Sequence, residues 1–327
     1  MYSVAIIGCG SIGADKENNI DYPNVTEALT HAHAFFNTKF QIHFVDPDIE
    51  KTNRAMKKFY TPNNIAWNST QTFFKKAKID VAVISAPTEF HKELAMNVLN
   101  CNPKIVIVEK PFCKNLKEAT AIAEIYKQAK IPLLVNFTRR FVPEFWNLKH
   151  ELEHQTIYWA TIKYTRGFIR EACHALDLCN LLFGWCQGGH LLNVSDTVLI
   201  NDYSKDDPTY SARFEYTECP IVMLLPSDGR NFGIFEMEIC TNKGIYEILH
   251  NGELIYKREL QNSSYGHYKT ISPYNNTIQL VFLKKALLNM VNEVCAYLYT
   301  GSKEFSCTAQ HAIEVHQIYD HLACNNI

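Results

Sequence analysis

A glycine turn set directly behind a short apolar strand constrains this chain more than any other feature. In "SVAIIGCGSIG" (residues 3–13), Gly8, Gly10 and Gly13 stand where a β-branched run gives way to a helical one. The first glycine allows the tight turn, the second lets backbone approach a pyrophosphate, and the third permits close helix–strand packing. A GxGxxG pattern carries weight only in strand–turn–helix context, and here it has that context at the head of an alternating chain. Ser11 and Ile12 lie within the turn and belong to the same expected dinucleotide contact.

The alternation runs through the first 136 residues. Strands are predicted at 3–8, 40–46, 79–86, 104–110 and 131–137, with a weaker one around Ile65. Helices are predicted at 25–36, 48–59, 69–77, 89–101 and 115–130, the last with Asn115 as its N-cap. Short apolar strands separated by amphipathic helices build a doubly wound parallel sheet, the Rossmann arrangement.

After Phe137 the pattern changes. A helix at 143–154, a strand at 156–165 and a helix in "RGFIREACHALDL" (166–178) precede a series of longer strands. Within "GIYEILHNGELIYKREL" (244–260), Asn251-Gly252 marks a hairpin, because both turn positions need positive φ. Helices near 278–299 and 308–324 close the chain. The predicted fold is therefore α/β: a Rossmann domain over 1–136, then an α+β domain over 137–327 on a mainly antiparallel open sheet, with a cleft between the two.

A chain of 327 residues that is 47% hydrophobic and 20% charged has material for two cores. A formal net charge of -2, without a basic stripe, gives no general attraction to nucleic acid or anionic lipid, and the expected partner is a small molecule. No window reaches the ~18 apolar residues of a membrane span, and no signal peptide is visible, so a cytoplasmic protein is expected. The eleven cysteines include no C-x-x-C pair; they read as reduced thiols, and no metal site is expected.

The second strand ends in "FVDPD", which places Asp46 where adenosine ribose hydroxyls are held. An acid there favours NAD over NADP, since a 2′-phosphate would be repelled. Asp46 lies 33 residues beyond Gly13, farther than the usual ~20. The polar "ADKENNIDYPN" (14–24) accounts for the excess as an inserted loop. His31 and His33 follow it at i, i+2 spacing, on different helix faces, and read as structural or surface residues rather than a metal pair.

Taken together, the strand-end segments resemble the glucose–fructose oxidoreductase/inositol dehydrogenase family, Gfo/Idh/MocA. The resemblance rests on five motifs in order across essentially the whole chain: the glycine turn; Pro87-Thr88-Glu89-Phe90-His91; Glu109-Lys110-Pro111; Asn136-Phe137-Thr138-Arg139-Arg140; and His174-Ala175-Leu176-Asp177. It implies a Rossmann domain carrying NAD(P), with NADP the less expected of the two, followed by a domain whose open sheet commonly joins subunits, hence a homodimer or homotetramer. It also implies oxidation of a sugar or cyclitol hydroxyl, or reduction of the ketone. By position, Lys110 would lie between nicotinamide and substrate and His174 would face the reacting carbon. Pro87 and Glu109 would border the nicotinamide, with His91 nearby. A hydride leaving a carbinol must be matched by a proton leaving its oxygen, and an imidazole suits that task. The other reading of Lys110 is a snorkelling lysine at a strand end.

One position departs from the family pattern. The acid usually found four residues before the histidine is replaced by Arg170. Read as one helix, Arg170, His174 and Asp177 share a stripe at i, i+4 and i+7. Asp177 matches the family's second acid and can orient the imidazole, and Glu171 offers a substitute carboxylate. Arg170, with Arg139 nearby, would make the pocket cationic and suited to an anionic substrate such as a sugar acid or nucleotide sugar. The alternatives are an Arg170 that only neutralises Glu171 or Asp177, and a non-catalytic nucleotide- and sugar-binding regulator of the same fold.

Overall fold

The structure, a computed structural model, describes residues 1–16, 26–192, 200–204 and 207–325. Most of the expected polar insert at 14–24 lies outside the described residues. The chain divides into two compact units, Met1–Phe141 with Lys284–His316, and Val142–Leu283 with Gln317–Ile327.

In the first unit the elements alternate: β1 (Ser3–Ile7), α1 (His31–Phe36), β2 (Gln41–Val45), α2 (Ile49–Lys58), β3 (Ile65–Trp67), α3 (Thr70–Lys76), β4 (Val81–Ile84), α4 (Thr88–Val98), β5 (Ile105–Val108), α5 (Leu116–Ala129) and β6 (Leu133–Val135). All six strands are parallel, in the order β3-β2-β1-β4-β5-β6. Strands β4, β5 and β6 are buried at every residue, which is why they read as unbroken Val, Ile and Leu rather than as alternation. The direction of strand addition reverses between β1 and β4, and ligands of such sheets bind outside the carboxyl ends at that point. Asn115 caps α5 as expected, its side chain accepting from the Glu118 N–H at 3.0 Å.

The second unit holds α6 (Pro143–Leu152), β7 (Ile157–Tyr164), α7 (Ala172–Phe183), β8 (Cys186–Leu191), β9 (Ile200–Ser204), β10 (Asp207–Thr209), β11 (Ala212–Tyr216), β12 (Val222–Pro226), β13 (Phe235–Thr241), β14 (Gly244–Leu249), β15 (Leu254–Asn262) and β16 (Lys269–Leu280). Eight of these strands form one sheet, β16-β15-β14-β13-β7-β12-β11-β8. Only the β12–β7 pair is parallel. Along β13, Phe235, Met237, Ile239 and Thr241 are buried while Glu236, Glu238 and Cys240 are not, the period of a sheet with one covered face. The hairpin between β14 and β15 turns through His250, Asn251 and Gly252, all at positive φ.

Four expectations need correction. The domain boundary is not a single cut at 136/137, because α8 (Ala286–Thr300) packs on α1 and on the turn Thr138–Phe141 and so returns to the first unit. That helix starts at Ala286 rather than near 278, since β16 continues pairing with β15 to Leu280. Helix α1 starts at His31 rather than 25, with the Thr30 hydroxyl accepting from the His33 N–H. Helix α7 starts at Ala172 rather than 166, for a reason given below.

The start of α9 (Ala309–Asn325) carries a pH-sensitive pair. Burial first, then the Arg140 charge, pushes His311 down to about 4, and burial alone does the same to His316. The unfolded chain protonates both near their usual 6.5, so their stabilising contribution is complete above that value and is lost as pH falls from there towards 4. The expected loss is on the order of 3 kcal/mol for each histidine, read as a fall in urea midpoint between pH 7 and pH 4.5. Replacing both by Asn should flatten that part of the profile; an unchanged pH dependence would assign the acid sensitivity elsewhere.

Candidate active site

Four strand ends of the first unit carry the expected cofactor residues on one edge of the sheet. After β1, Gly8 takes φ +98° and an added Cβ would lie 2.6 Å from the Ala86 nitrogen. At Gly13 a Cβ would come 2.0 Å from the Gly8 carbonyl oxygen and 2.9 Å from Ser85 Oγ. Gly10 differs: among the described residues, a Cβ there meets nothing within 4 Å. The Ser85 hydroxyl, at the end of β4, ties the layers together by donating to the Gly8 carbonyl at 2.8 Å. Ser11 to Asp15 then form a single π turn, with the Ala14 and Asp15 N–H groups both donating to the Gly10 carbonyl.

After β2, Asp46 is buried and accepts from the Cys9 N–H through Oδ2 and from the Asp48 N–H through Oδ1, both at 2.9 Å. The carboxylate is thereby fixed against the glycine turn, and each oxygen keeps capacity for a further donor. The expected ribose ligand thus sits beside the turn despite its distance in sequence. A backbone that no described side chain crowds at Gly10, next to an oriented carboxylate, fits a dinucleotide's pyrophosphate and ribose.

The turns after β4 and β5 come next. Pro87 precedes α4 and accepts from the Phe90 N–H at 2.9 Å. His91 has a different task from the one expected. Only 1% exposed, its Nε2 meets the Ala86 carbonyl at 2.8 Å, and its Nδ1 meets the carbonyls of Pro111 and Phe112 at 3.0 and 3.1 Å. It braces the Pro87 turn against the Glu109-Lys110-Pro111 turn and so positions both. Lys110 is half-buried, and its peptide bond to Pro111 is cis.

Glu109 shows what the sequence did not disclose. Its Oε1 accepts from His31 Nε2 at 2.7 Å and from Asn136 Nδ2 at 2.6 Å. His31, expected to be a structural or surface residue, is fully buried and hydrogen-bonded to Glu109. Its signal was a histidine inside the apolar "HAHAFF", but the partner is 78 residues away. Arg139 and Arg140 occupy the turn after β6 and are both buried, Arg139 at 8% exposure. That makes Arg139 less available to a substrate than expected.

In the second unit, Asp207 decides where α7 begins. Its Oδ1 accepts from the Ile169 N–H at 2.7 Å and its Oδ2 from the Arg170 N–H at 2.9 Å. Those donors are therefore withdrawn from a helix, and the segment turns through Arg166 and Gly167 at positive φ. Burial holds the Asp207 carboxyl above the usual range, against the N–H donors and the Arg170 charge that lower it. Tyr319 reinforces the turn by donating to the carbonyls of Phe168 and Ile169. Arg170 and Glu171 consequently precede the helix, and Arg170 does not share a helical stripe with His174 and Asp177. The Arg170 side chain is 44% exposed, with Nε 3.4 Å from Glu171 Oε1. His174 is half-buried in the first turn of α7, and Asp177, one turn on, is buried. Among the described residues no group of three or more His, Cys, Asp or Glu side chains is arranged to hold a metal, and no helix is long and apolar enough to cross a membrane.

Known proteins resemble the chain in two ways. A curated inositol 2-dehydrogenase of Corynebacterium glutamicum is 26% identical over 151 residues, 46% of this chain and 40% of that protein. The matched stretch therefore spans about two fifths of that relative. Among solved structures, the WlbA dehydrogenase from Bordetella pertussis, in complex with NADH and UDP-GlcNAcA, matches with a TM-score of 0.69 at 14% identity, covering 99% of this chain and 95% of that one. The transcriptional regulator Gal80p from Kluyveromyces lactis matches with a TM-score of 0.70 at 15% identity, over 90% and 87% of the two chains. At such identities the likeness is one of fold. The family model described as "Oxidoreductase family, NAD-binding Rossmann fold" matches residues 2–137, the same stretch that carries the glycine turn, Asp46 and the Glu109-Lys110 turn, so over that stretch the chain is similar to the Gfo/Idh/MocA oxidoreductases.

Proposed function

We propose that the protein is an NAD(H)-dependent oxidoreductase acting on a hydroxyl or ketone of a sugar-like substrate. The observation that carries this reading is the strand-end edge of the first unit, where the backbone at Gly10 that no described side chain crowds, the oriented Asp46 carboxylate and the Glu109-Lys110 turn share one side of the sheet. Gly8, Gly10, Ser11, Ile12 and Gly13 would hold the pyrophosphate, Asp46 the adenosine ribose, and Pro87 and Glu109 the nicotinamide end. When bound, the nicotinamide accepts or supplies the hydride. Lys110 orients and polarises the reacting oxygen, and His174, oriented by Asp177, takes or returns its proton.

Arg170 is the residue we assign to substrate choice. An exposed pair such as Arg170–Glu171 contributes under about 1 kcal/mol, so the guanidinium readily exchanges Glu171 for a substrate carboxylate or phosphate. Arg170→Met should raise KM for an anionic substrate by roughly tenfold or more with kcat little changed. An unchanged KM with lower thermal stability would restrict Arg170 to pairing with Glu171.

Asp46 separates NAD from NADP in this reading. Asp46→Ser should erode the preference for NAD by about tenfold in a competition of the two coenzymes. No change would mean that the ribose is held elsewhere. A second reading, a non-catalytic nucleotide- and sugar-binding regulator, is favoured by the place of Arg170 outside α7, where no carboxylate four residues before His174 supports proton transfer. Binding of NADH without turnover in either direction would select it.

A further inference from the structure

The Glu109 carboxylate is held in a way that a structural ion pair does not require. Two donors from separate elements, His31 on α1 and Asn136 after β6, converge on the single oxygen Oε1 at 2.7 and 2.6 Å. The other oxygen takes the N–H of Lys110 at 3.3 Å. Glu109, His31 and Asn136 are all buried. One neutral amide, one backbone N–H and one imidazole fix both the plane and the orientation of the carboxylate at the strand end where Lys110 begins.

Burial by itself would raise the proton affinity of this group. The His31 hydrogen bond and charge, then the Asn136 hydrogen bond and the Lys110 charge, outweigh it, and the carboxyl lies below its usual range. A charged group in a water-poor site acts on any nearby charge with little screening. The oxidised nicotinamide ring carries one positive charge and the reduced ring none.

We propose that His31 and Asn136 hold Glu109 as a fixed carboxylate that binds the oxidised cofactor in preference to the reduced one, so that Glu109 sets the redox preference of the site and His31 is its positioning residue. The inference rests on the cofactor reading given above and assigns a role to a charge that this reading otherwise leaves as lining. Its chemical consequence is a lowered reduction potential of the bound cofactor, because stabilising the oxidised form relative to the reduced one makes the bound reduced form the stronger hydride donor and biases the equilibrium on the protein towards the alcohol. The Lys110 charge offsets part of the effect, which keeps the expected size modest.

Calorimetric titration of the full chain with NAD+ and, separately, NADH tests this. The quantity read is the ratio of the two dissociation constants, which a general loosening of the fold does not move. Glu109→Gln keeps the shape and an accepting oxygen; it should shift the ratio about tenfold towards NADH while NADH affinity itself changes by less than about threefold. His31→Gln should shift the ratio in the same direction by a smaller factor. Equal changes in both affinities, or none, would overturn the inference and leave the cluster a structural tie between α1 and the sheet. If Glu109→Gln loses its cooperative melting transition, His31→Gln and Asn136→Ser carry the same comparison, and an unchanged ratio in both overturns it. Failure of the unaltered protein to bind either form would instead overturn the cofactor reading, and the inference with it.

Discussion

Replacing Lys110 by Met lowers kcat by about a thousandfold and leaves NADH affinity within a few fold, within the range expected when a positioned proton-transfer or polarising group is removed. The separation of the two effects is the point. Lys110 is half-buried just past the end of β5, and most of the frame around it is tied by other groups. Glu109 is held by His31 and Asn136, and the backbone of Pro111 and Phe112 is held by His91. A methionine keeps the aliphatic stem and removes only the charge, so the turn should survive. Steady-state rates and NADH fluorescence titration on the same preparation read both quantities. Parallel loss of rate and binding would mean that Lys110 supports the turn rather than the chemistry.

The glycine turn gives the second large effect, and it comes as a contrast between two positions. Gly13→Ala sets a Cβ 2.0 Å from the Gly8 carbonyl oxygen, a backbone atom that cannot step aside. The turn must open, with a stability loss of about 3 kcal/mol and a loss of NADH affinity of roughly a hundredfold or more. Gly10→Ala meets no atom of the described residues within 4 Å, and Gly10 already has φ -76°, which alanine adopts without strain. That variant should therefore melt like the parent. It should still lose NADH affinity by roughly tenfold or more, because its methyl group occupies the space through which the pyrophosphate approaches. A Gly10→Ala protein that binds NADH normally would remove the reason for placing the cofactor on this turn.

Local signals carried most of the fold. Buried parallel strands must be apolar at every residue, and "VAVISA" and "IVIVEK" show that directly. Asn115 and Asn251-Gly252 declare a helix start and a hairpin because their requirements are met within a few residues. The order of strands follows from parallel pairing and short crossovers, so a glycine turn at β1 already places the cofactor edge. What escaped reading depends on partners far along the chain. The apolar spacing of α7 runs back to 166, yet Asp207, 37 residues past Arg170, takes the N–H groups of Ile169 and Arg170. His31 looked structural because its carboxylate partner lies 78 residues away. The place of His91 in its motif points to the cofactor, whereas three carbonyl oxygens from two turns surround its ring. Polar side chains with non-local partners thus mark the limit.

The measurement that tests the account most directly is absorbance at the reduced nicotinamide band, followed while the protein is incubated with NAD and a panel of sugars, sugar acids and nucleotide sugars. It is run beside NADH binding by fluorescence, for the parent and for His174→Ala. The account predicts reduction of NAD with at least one member of the panel, its loss in His174→Ala, and NADH binding that persists in that variant. Tight NADH binding by the parent with no turnover in either direction would contradict it and leave a binding protein built on the same fold.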